Sequence, residues 1–145
     1  MYDDILLPTD GSDGIAAAAT HAAAIAERFD ATVHVLSVVD TRNRFESPTG
    51  GLSMDAWANA ERERADHAVE RTVDALADDV SAETAIVEGV PRTEILDYAE
   101  AEGMDLVVMG THGRTGLDHY LIGSVAEKVV RRSPVPVVTV RLGED

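Results

Sequence analysis

Five short apolar runs, separated by segments with helical periodicity, constrain the fold of this chain more than any other feature. Parallel strands need a long crossover connection, which is usually a helix, so this alternation is typical of a parallel sheet. Helices must then cover both faces of the sheet, and the pattern predicts a doubly wound α/β fold. The predicted strands are Asp4–Pro8, Val33–Val39, Glu83–Glu88, Asp105–Met109 and Pro134–Arg141.

The segments between the apolar runs predict four helices and one irregular loop. The helices are expected at about Gly14–Phe29, at Met54–Asp79, from Pro91 to Gly103, and at Gly123–Arg132. The second helix repeats small and apolar residues at spacings of three and four, which places them on one buried face. Those residues are Ala65, Val69, Thr72, Val73 and Leu76. The charged run Glu61–Arg64 predicts a solvated helix face, and the polar stretch Thr41–Ser53 predicts the loop.

Composition limits the classes of function. The 145 residues fit one domain, spanning 1–145, and the absence of cysteine excludes a catalytic thiol and a thiolate zinc site. Twelve Lys and Arg against 27 Asp and Glu give a net charge of −15, which argues against a nucleic-acid partner. This charge is typical of a halophilic protein, and the alternative interpretation is an ordinary acidic soluble protein. Without a long apolar stretch or a basic leader, we expect a soluble, cytoplasmic protein with no membrane segment.

Glycines cluster where the fourth strand is expected to lead into the last helix. Gly110 and Gly113 follow the apolar run Leu106–Met109, and Gly123-Ser124-Val125 comes after nine further residues. Glycine lets the backbone approach a ligand closely, and a helix start attracts anions, so the pattern predicts a phosphate-binding site. The two clusters are about 33 Å apart if extended. They therefore bind one ligand only if Arg114–Ile122, which we call the flap, folds back. The alternative interpretation is that the glycines only make turns.

The place where a ligand binds also predicts the strand order. Doubly wound sheets bind ligands in a crevice at the carboxyl ends of the strands, where the winding reverses direction. If Pro8–Ser12 after the first strand and Gly110–Gly113 after the fourth border this crevice, those strands are neighbours and the order is 3-2-1-4-5. An anionic nucleotide would be repelled by the net charge, but the Debye length is ~8 Å at physiological salt and ~3 Å at 1 M. Backbone N–H groups and the Arg114 guanidinium would then dominate at hydrogen-bonding distance, and a bound Mg²⁺ would help further.

Three other phosphate-binding classes do not match. A Walker loop needs Gly-Lys-Ser/Thr, whereas Lys128 follows Glu127. The first strand–helix turn has Gly11 and Gly14 but lacks the Gly-x-Gly-x-x-Gly of a dinucleotide fold. A phospho-receiver domain would carry its acidic pair after the first strand, not before it.

Five segments resemble the universal stress protein family, over nearly the whole chain. They are Ile5–Ser12, Val87–Pro91, Val108–Gly113, Gly123–Ala126 and Pro134–Val137. Gly-x₂-Gly-x₉-Gly-Ser is the signature of the ATP-binding branch, and it is intact here. The resemblance implies a Rossmann-like domain of the adenine nucleotide alpha hydrolase-like type that binds ATP.

The resemblance also implies individual site residues. Those implied to contact adenine and ribose are Pro8, Thr9, Asp10, Val38 (through its backbone), Met109 and Gly110. Those implied to contact the phosphates are Gly113, Gly123, Ser124 and Val125, with His112 and Arg114 at the flap. Two of these have alternative interpretations, Asp10 as a helix cap and His112 as a solvent-facing loop residue.

Three functions stay open from the sequence. The first is a noncatalytic, ATP-dependent switch in the stress response, acting on an unidentified downstream protein. The second is a slow ATP hydrolase, for which Asp10, His112 and Arg114 are the candidate groups. The third is a nucleotide-independent interaction module. The family resemblance implies a homodimer through the last strand, Val135–Val140, and ADP, AMP and cyclic nucleotides remain alternatives to ATP.

Overall fold

A computed structural model of the chain describes residues 1–12, 14–44, 54–111 and 123–141. In this part of the chain, five parallel strands form one sheet in the order β3-β2-β1-β4-β5. The predicted fold class and strand order are therefore confirmed. The strands are β1 (Asp4–Pro8), β2 (Thr32–Asp40), β3 (Ser81–Gly89), β4 (Leu106–Gly110) and β5 (Val137–Val140).

Helices cover both faces of the sheet. They are α1 (Ile15–Phe29), α2 (Met54–Ala75), α3 (Pro91–Ala101) and α4 (Ser124–Arg132). The residues of α1 and α2 pack with Ile5 and Leu7 of β1, whereas those of α3 and α4 pack with Leu6. Side chains alternate faces along a strand, so Ile5, Leu6 and Leu7 of β1 contribute to both cores. None of the described helices is long and apolar enough to cross a membrane.

Several element boundaries differ from the predicted ones. The second helix ends at Ala75 rather than Asp79, because acidic residues at 78 and 79 are unfavourable near the negative end of a helix dipole. The last strand begins at Val137 rather than Pro134, since Pro134 and Pro136 have no N–H to donate to a sheet. Conversely, β3 extends beyond the predicted strand at both ends. A short 3₁₀ helix occupies Thr41–Arg44 in the predicted irregular loop.

Alanines let α1 approach the sheet closely. Ala18, Ala19, Ala22 and Ala26 are all buried against residues of β1, β2 and β4. Alanine also has the highest helix propensity, so one residue type satisfies both local structure and packing. Because α1 directly follows the loop after β1, its close packing sets where that loop ends.

We expect Ala22→Leu to destabilise the fold and Ala24→Leu to leave it nearly unchanged. Ala22 is fully buried, and the added carbons would overpack the core by about 1–3 kcal/mol. Ala24 is exposed on the same helix and controls for helix propensity. Urea unfolding at constant high KCl measures both free energies, and equal losses in the two variants would contradict this packing.

Candidate functional site

β1 and β4 are neighbouring strands in the interior of the sheet, and their carboxyl ends lie side by side. β1 pairs with β2 on one flank, where Pro8 is opposite Leu36, and with β4 on the other, where Leu6 is opposite Val107. The chain winds in opposite directions from β1, and neighbouring strands are ~4.8 Å apart. The carboxyl ends of β1 and β4 therefore flank the crevice in which doubly wound folds bind ligands.

The chain that leaves β4 returns to the same point to begin α4. The Thr111 N–H donates to the Val140 carbonyl at 3.0 Å, and the Gly123 N–H donates to the Thr111 carbonyl at 2.6 Å. The two glycine clusters are thus joined at their inner ends, as one shared ligand requires. The predicted site residues His112, Gly113 and Arg114 lie outside the described residues.

The start of α4 offers hydrogen-bond donors to an anion. Gly123 precedes the helix in an extended conformation, and its carbonyl accepts the first helical bond from the Glu127 N–H at 2.9 Å. The N–H groups of the first helical turn have no acceptor within the helix, and no side chain of the described residues caps Gly123. Ser124 is exposed there and Val125 is half-buried. The geometry has the donors and the dipole that a phosphate needs.

Asp10 lies in a tight turn between β1 and α1. The Thr9 N–H donates to the Leu36 carbonyl at 2.8 Å, which continues the sheet by one residue. One Asp10 carboxylate oxygen then accepts the Ser12 N–H at 2.9 Å. The cap position of α1 is occupied by Gly14 instead, so the alternative interpretation of Asp10 as a helix cap is wrong. Its carboxylate organises the turn before the helix.

A shallow cleft joins this turn to the end of β2 and to one face of α2. The described residues that line it are Asp10, Ser37, Val38, Val39, Asp40, Glu61, Arg64, Ala65 and Ala68. The structure thus brings together Asp10 and Val38, two of the predicted site residues. The Val38 side chain packs with the core on the opposite face, which leaves its backbone for the cleft.

The sequence analysis missed the contribution of α2 to this cleft. Its charged run was predicted to be a solvated face, and Arg62 and Arg64 are exposed. The prediction is wrong for Glu61, whose side chain is only 15% exposed and whose carboxylate lies 3.6 Å from the Arg64 guanidinium. The helical period identifies the buried face of α2, but it does not identify the strand ends beneath that face.

The cleft and the start of α4 differ in charge. Among the described residues that line the cleft, Asp10, Asp40 and Glu61 are acidic and Arg64 is basic. Asp40 also pairs with Arg42 at 2.7 Å. The start of α4 carries instead the positive end of a helix dipole. A ligand with one hydroxyl-rich neutral end and one anionic end matches both.

The other predicted residues contribute mainly backbone or framework. The Met109 side chain is buried in the core with Ala126 and Val129, so it presents only backbone to the crevice, beside Gly110. Pro8 and Thr9 are also buried, and the Thr9 hydroxyl lies 2.9 Å from that of Thr72 on α2. The predictions missed this role of Thr72, although a threonine within an otherwise apolar stripe was a signal for it.

The described residues contain no group of three or more side chains suited to hold a metal ion. His34 contacts the Asp4 carboxylate at 2.8 Å, at the amino ends of the strands and away from the crevice.

Comparison with known proteins adds independent information. A family model described as "Universal stress protein family" matches residues 1–141. Universal stress protein MJ0531 of Methanocaldococcus jannaschii is 41% identical over 143 residues, covering 97% of this chain and 83% of the relative. The solved structure of MJ0577, from the same organism, has a TM-score of 0.85 and 34% identity, covering 100% and 99% of the two chains. A universal stress protein solved in complex with cAMP has a TM-score of 0.66 and 27% identity, with 98% of each chain covered.

We expect Gly11→Ala to destabilise the protein more than Gly103→Ala does. Both glycines have positive φ, 78° and 68°, but a Cβ on Gly11 would lie 3.1 Å from the Ala68 Cβ, whereas one on Gly103 meets no described atom within 4 Å. The left-handed backbone costs alanine about 1–2 kcal/mol at either site, and the contact with α2 adds about 1 kcal/mol at Gly11. Chemical denaturation measures the difference, and equal losses would show that α2 does not hold this turn.

Proposed function

This chain belongs to the universal stress protein family, and we propose that it binds ATP in the crevice between the β1 and β4 loops. The bound nucleotide would act as a noncatalytic switch in the stress response, ordering the flap Arg114–Ile122 and changing a surface seen by a downstream protein. The hydrogen bond between Gly123 and Thr111 carries this proposal, because it brings the start of α4 to the carboxyl end of β4, the strand that pairs with β1.

Electrostatic energies favour one orientation of the nucleotide in the crevice. Two like charges 4 Å apart repel by about 1 kcal/mol in water and about 4 kcal/mol at an effective dielectric of 20. A triphosphate placed against Asp10, Asp40 and Glu61 would be repelled by several like charges. At a helix start, by contrast, an anion is stabilised by ~0.3–2 kcal/mol. The phosphates therefore belong at α4, and the ribose hydroxyls belong at Asp10, where a carboxylate accepts their hydrogen bonds.

The remaining ligand contacts follow from this orientation. The adenine edge would meet the Val38 backbone at the end of β2, and Gly110 would let the ribose approach β4. Gly113, His112 and Arg114 keep the phosphate and flap roles that the family resemblance implies, with Mg²⁺ bound through the phosphates. The related protein solved with cAMP supports an adenine nucleotide, and the donors at α4 favour the more highly charged triphosphate.

The proposed switch does not require hydrolysis. Phosphoryl transfer to water needs a positioned nucleophile and neutralisation of charge at the γ-phosphate. Asp10 is assigned to the ribose end of the crevice, and its carboxylate already accepts the Ser12 N–H. It is therefore poorly placed to activate water at the phosphate end.

Calorimetry with ATP at high KCl tests the site. We expect the double variant Gly123→Val/Ser124→Val to bind ATP at least about tenfold more weakly than wild type, since two branched side chains would cover the donors of the α4 start and tenfold is only ~1.4 kcal/mol. Ser81→Val is the matched control, because Ser81 is exposed at the amino end of β3, away from the crevice.

Two outcomes would contradict the proposal. Equal ATP affinity in wild type and in the double variant would remove the phosphates from α4. Steady phosphate release over multiple turnovers, abolished by Asp10→Asn, would show that the protein is an ATP hydrolase.

The proposed homodimer pairs β5 with its counterpart in a second copy. β5 and β3 are the two edges of the sheet, and the exposed edge of β3 carries Glu83 and Glu88, which discourage strand pairing. β5 presents Val137, Val138 and Thr139, which are half-buried in a single chain. Its apolar composition makes β5 the edge suited to pairing.

We expect Thr139→Lys to convert the dimer to a monomer, because a lysine on an edge strand opposes pairing. Thr84→Lys places the same charge on the exposed β3 edge and should leave the dimer intact. Light scattering with and without ATP distinguishes one chain of 15.5 kDa from two. A wild-type mass of one chain, or an unaffected Thr139→Lys variant, would contradict the proposed interface.

A further inference from the structure

The hydroxyl of Thr72 lies inside the protein, where α2 contacts the turn after β1. Thr72 is fully buried. Its oxygen lies 2.9 Å from the Thr9 hydroxyl oxygen and 2.7 Å from the Ala68 carbonyl oxygen. Burial of a hydroxyl is unfavourable unless it is hydrogen-bonded, so this polar group in an apolar stripe has a specific partner across the helix–loop contact.

The protons of this cluster can be assigned so that each has one acceptor. A threonine hydroxyl donates one hydrogen bond and accepts up to two. When Thr72 donates to the Ala68 carbonyl, its oxygen is free to accept from Thr9. The Thr9 oxygen in turn accepts the Gly11 N–H at 3.0 Å. A chain of hydrogen bonds thus runs from the backbone of α2 to the backbone of the turn.

A second set of contacts holds the other end of the turn. The Arg71 guanidinium donates to the Gly11 carbonyl at 3.2 Å, and a Cβ on Gly11 would lie only 3.1 Å from the Ala68 Cβ. Thr9 and Gly11, the two neighbours of Asp10, are therefore both attached to one face of α2. The backbone on either side of Asp10 has little freedom to rotate its carboxylate away from the cleft.

We propose that Thr72 is a positioning residue that orients Asp10 toward the ribose hydroxyls of a bound nucleotide. This inference rests on the proposed function. Thr72 does not line the cleft and acts only through Thr9 and the turn. Substitution should therefore alter the discrimination that Asp10 makes among sugars, in addition to any effect on stability.

The test compares ATP with 2′,3′-dideoxy-ATP, which lacks the hydroxyls assigned to Asp10. Wild type should prefer ATP by about tenfold or more, as expected for hydrogen bonds to a charged acceptor, and Asp10→Asn should lose most of this preference. Thr72→Val keeps the side-chain shape without the hydroxyl, and its preference should fall at least threefold toward that of Asp10→Asn. Thr72→Ser restores the hydroxyl and should restore the preference.

Val69→Ala is the matched control for lost stability. Val69 lies one turn before Thr72, and its side chain is buried in the core beneath α1 and forms no hydrogen bonds. Its truncation should therefore lower the midpoint of unfolding and keep the ATP preference. Hydrogen exchange supplies a readout without ligand: the Gly11 amide should exchange faster in Thr72→Val than in Val69→Ala. Thr72→Ala removes the same hydroxyl and replaces Thr72→Val if that variant does not fold.

The outcomes separate this inference from the proposed function. Absence of ATP binding by wild type would overturn the proposed function and the ribose role of Thr72 with it. A wild-type preference lost in Asp10→Asn but fully kept in Thr72→Val would overturn the positioning role alone. An equal loss of preference in Val69→Ala would also overturn it, since the effect would then follow stability.

Discussion

The parallel pairing of β1 with β2 on one flank and β4 on the other is the constraint on which the rest of the molecule depends. Ile5, Leu6 and Leu7 are fully buried and contribute to the cores on both faces of the sheet. The same pairing places the Asp10 turn beside the loop after β4. Stability and the crevice therefore arise from one strand, and a shift in its register would exchange its two faces and misplace the turn together.

The division of charge explains how so acidic a protein could hold the anionic ligand proposed for it. Its net charge is −15, yet the donors proposed for the phosphates are backbone N–H groups, whose positions the start of α4 sets. Such donors need no lysine, act at hydrogen-bonding distance and gain from the dipole of α4. Carboxylates beyond a Debye length of ~8 Å are largely screened, while Asp10, Asp40 and Glu61 are near enough to decide which end of a nucleotide lies against them.

The sequence was sufficient for the sheet but not for the α2 wall of the cleft. Strand period, glycine spacing and the switch-point rule together predicted the order 3-2-1-4-5, because each limits which strands can be neighbours. The ends of α2 and β5 depended on local charge and proline, which shift a boundary without changing the pattern. The sequence placed Glu61 and Thr72 on the correct helix, but the helical period does not indicate which loop a helix face covers. Thr72 looked like a core position, and it is one; its hydroxyl acquires a partner only through the tertiary contact with Thr9.

Attachment of the Asp10 turn to α2 has an energetic consequence for binding. When a ligand has to order a flexible group, the free energy of that ordering weakens binding, whereas a group that is already held in place carries no such penalty. Thr9 and Gly11 are held by α2, so the turn that carries Asp10, the proposed ribose contact, is preorganised. If the flap Arg114–Ile122 is what nucleotide orders, as the proposed function requires, then a rigid turn at Asp10 lets the phosphate end alone carry the response. The conformational change would then report the phosphates of the ligand, which is the property that a switch sensitive to ATP needs.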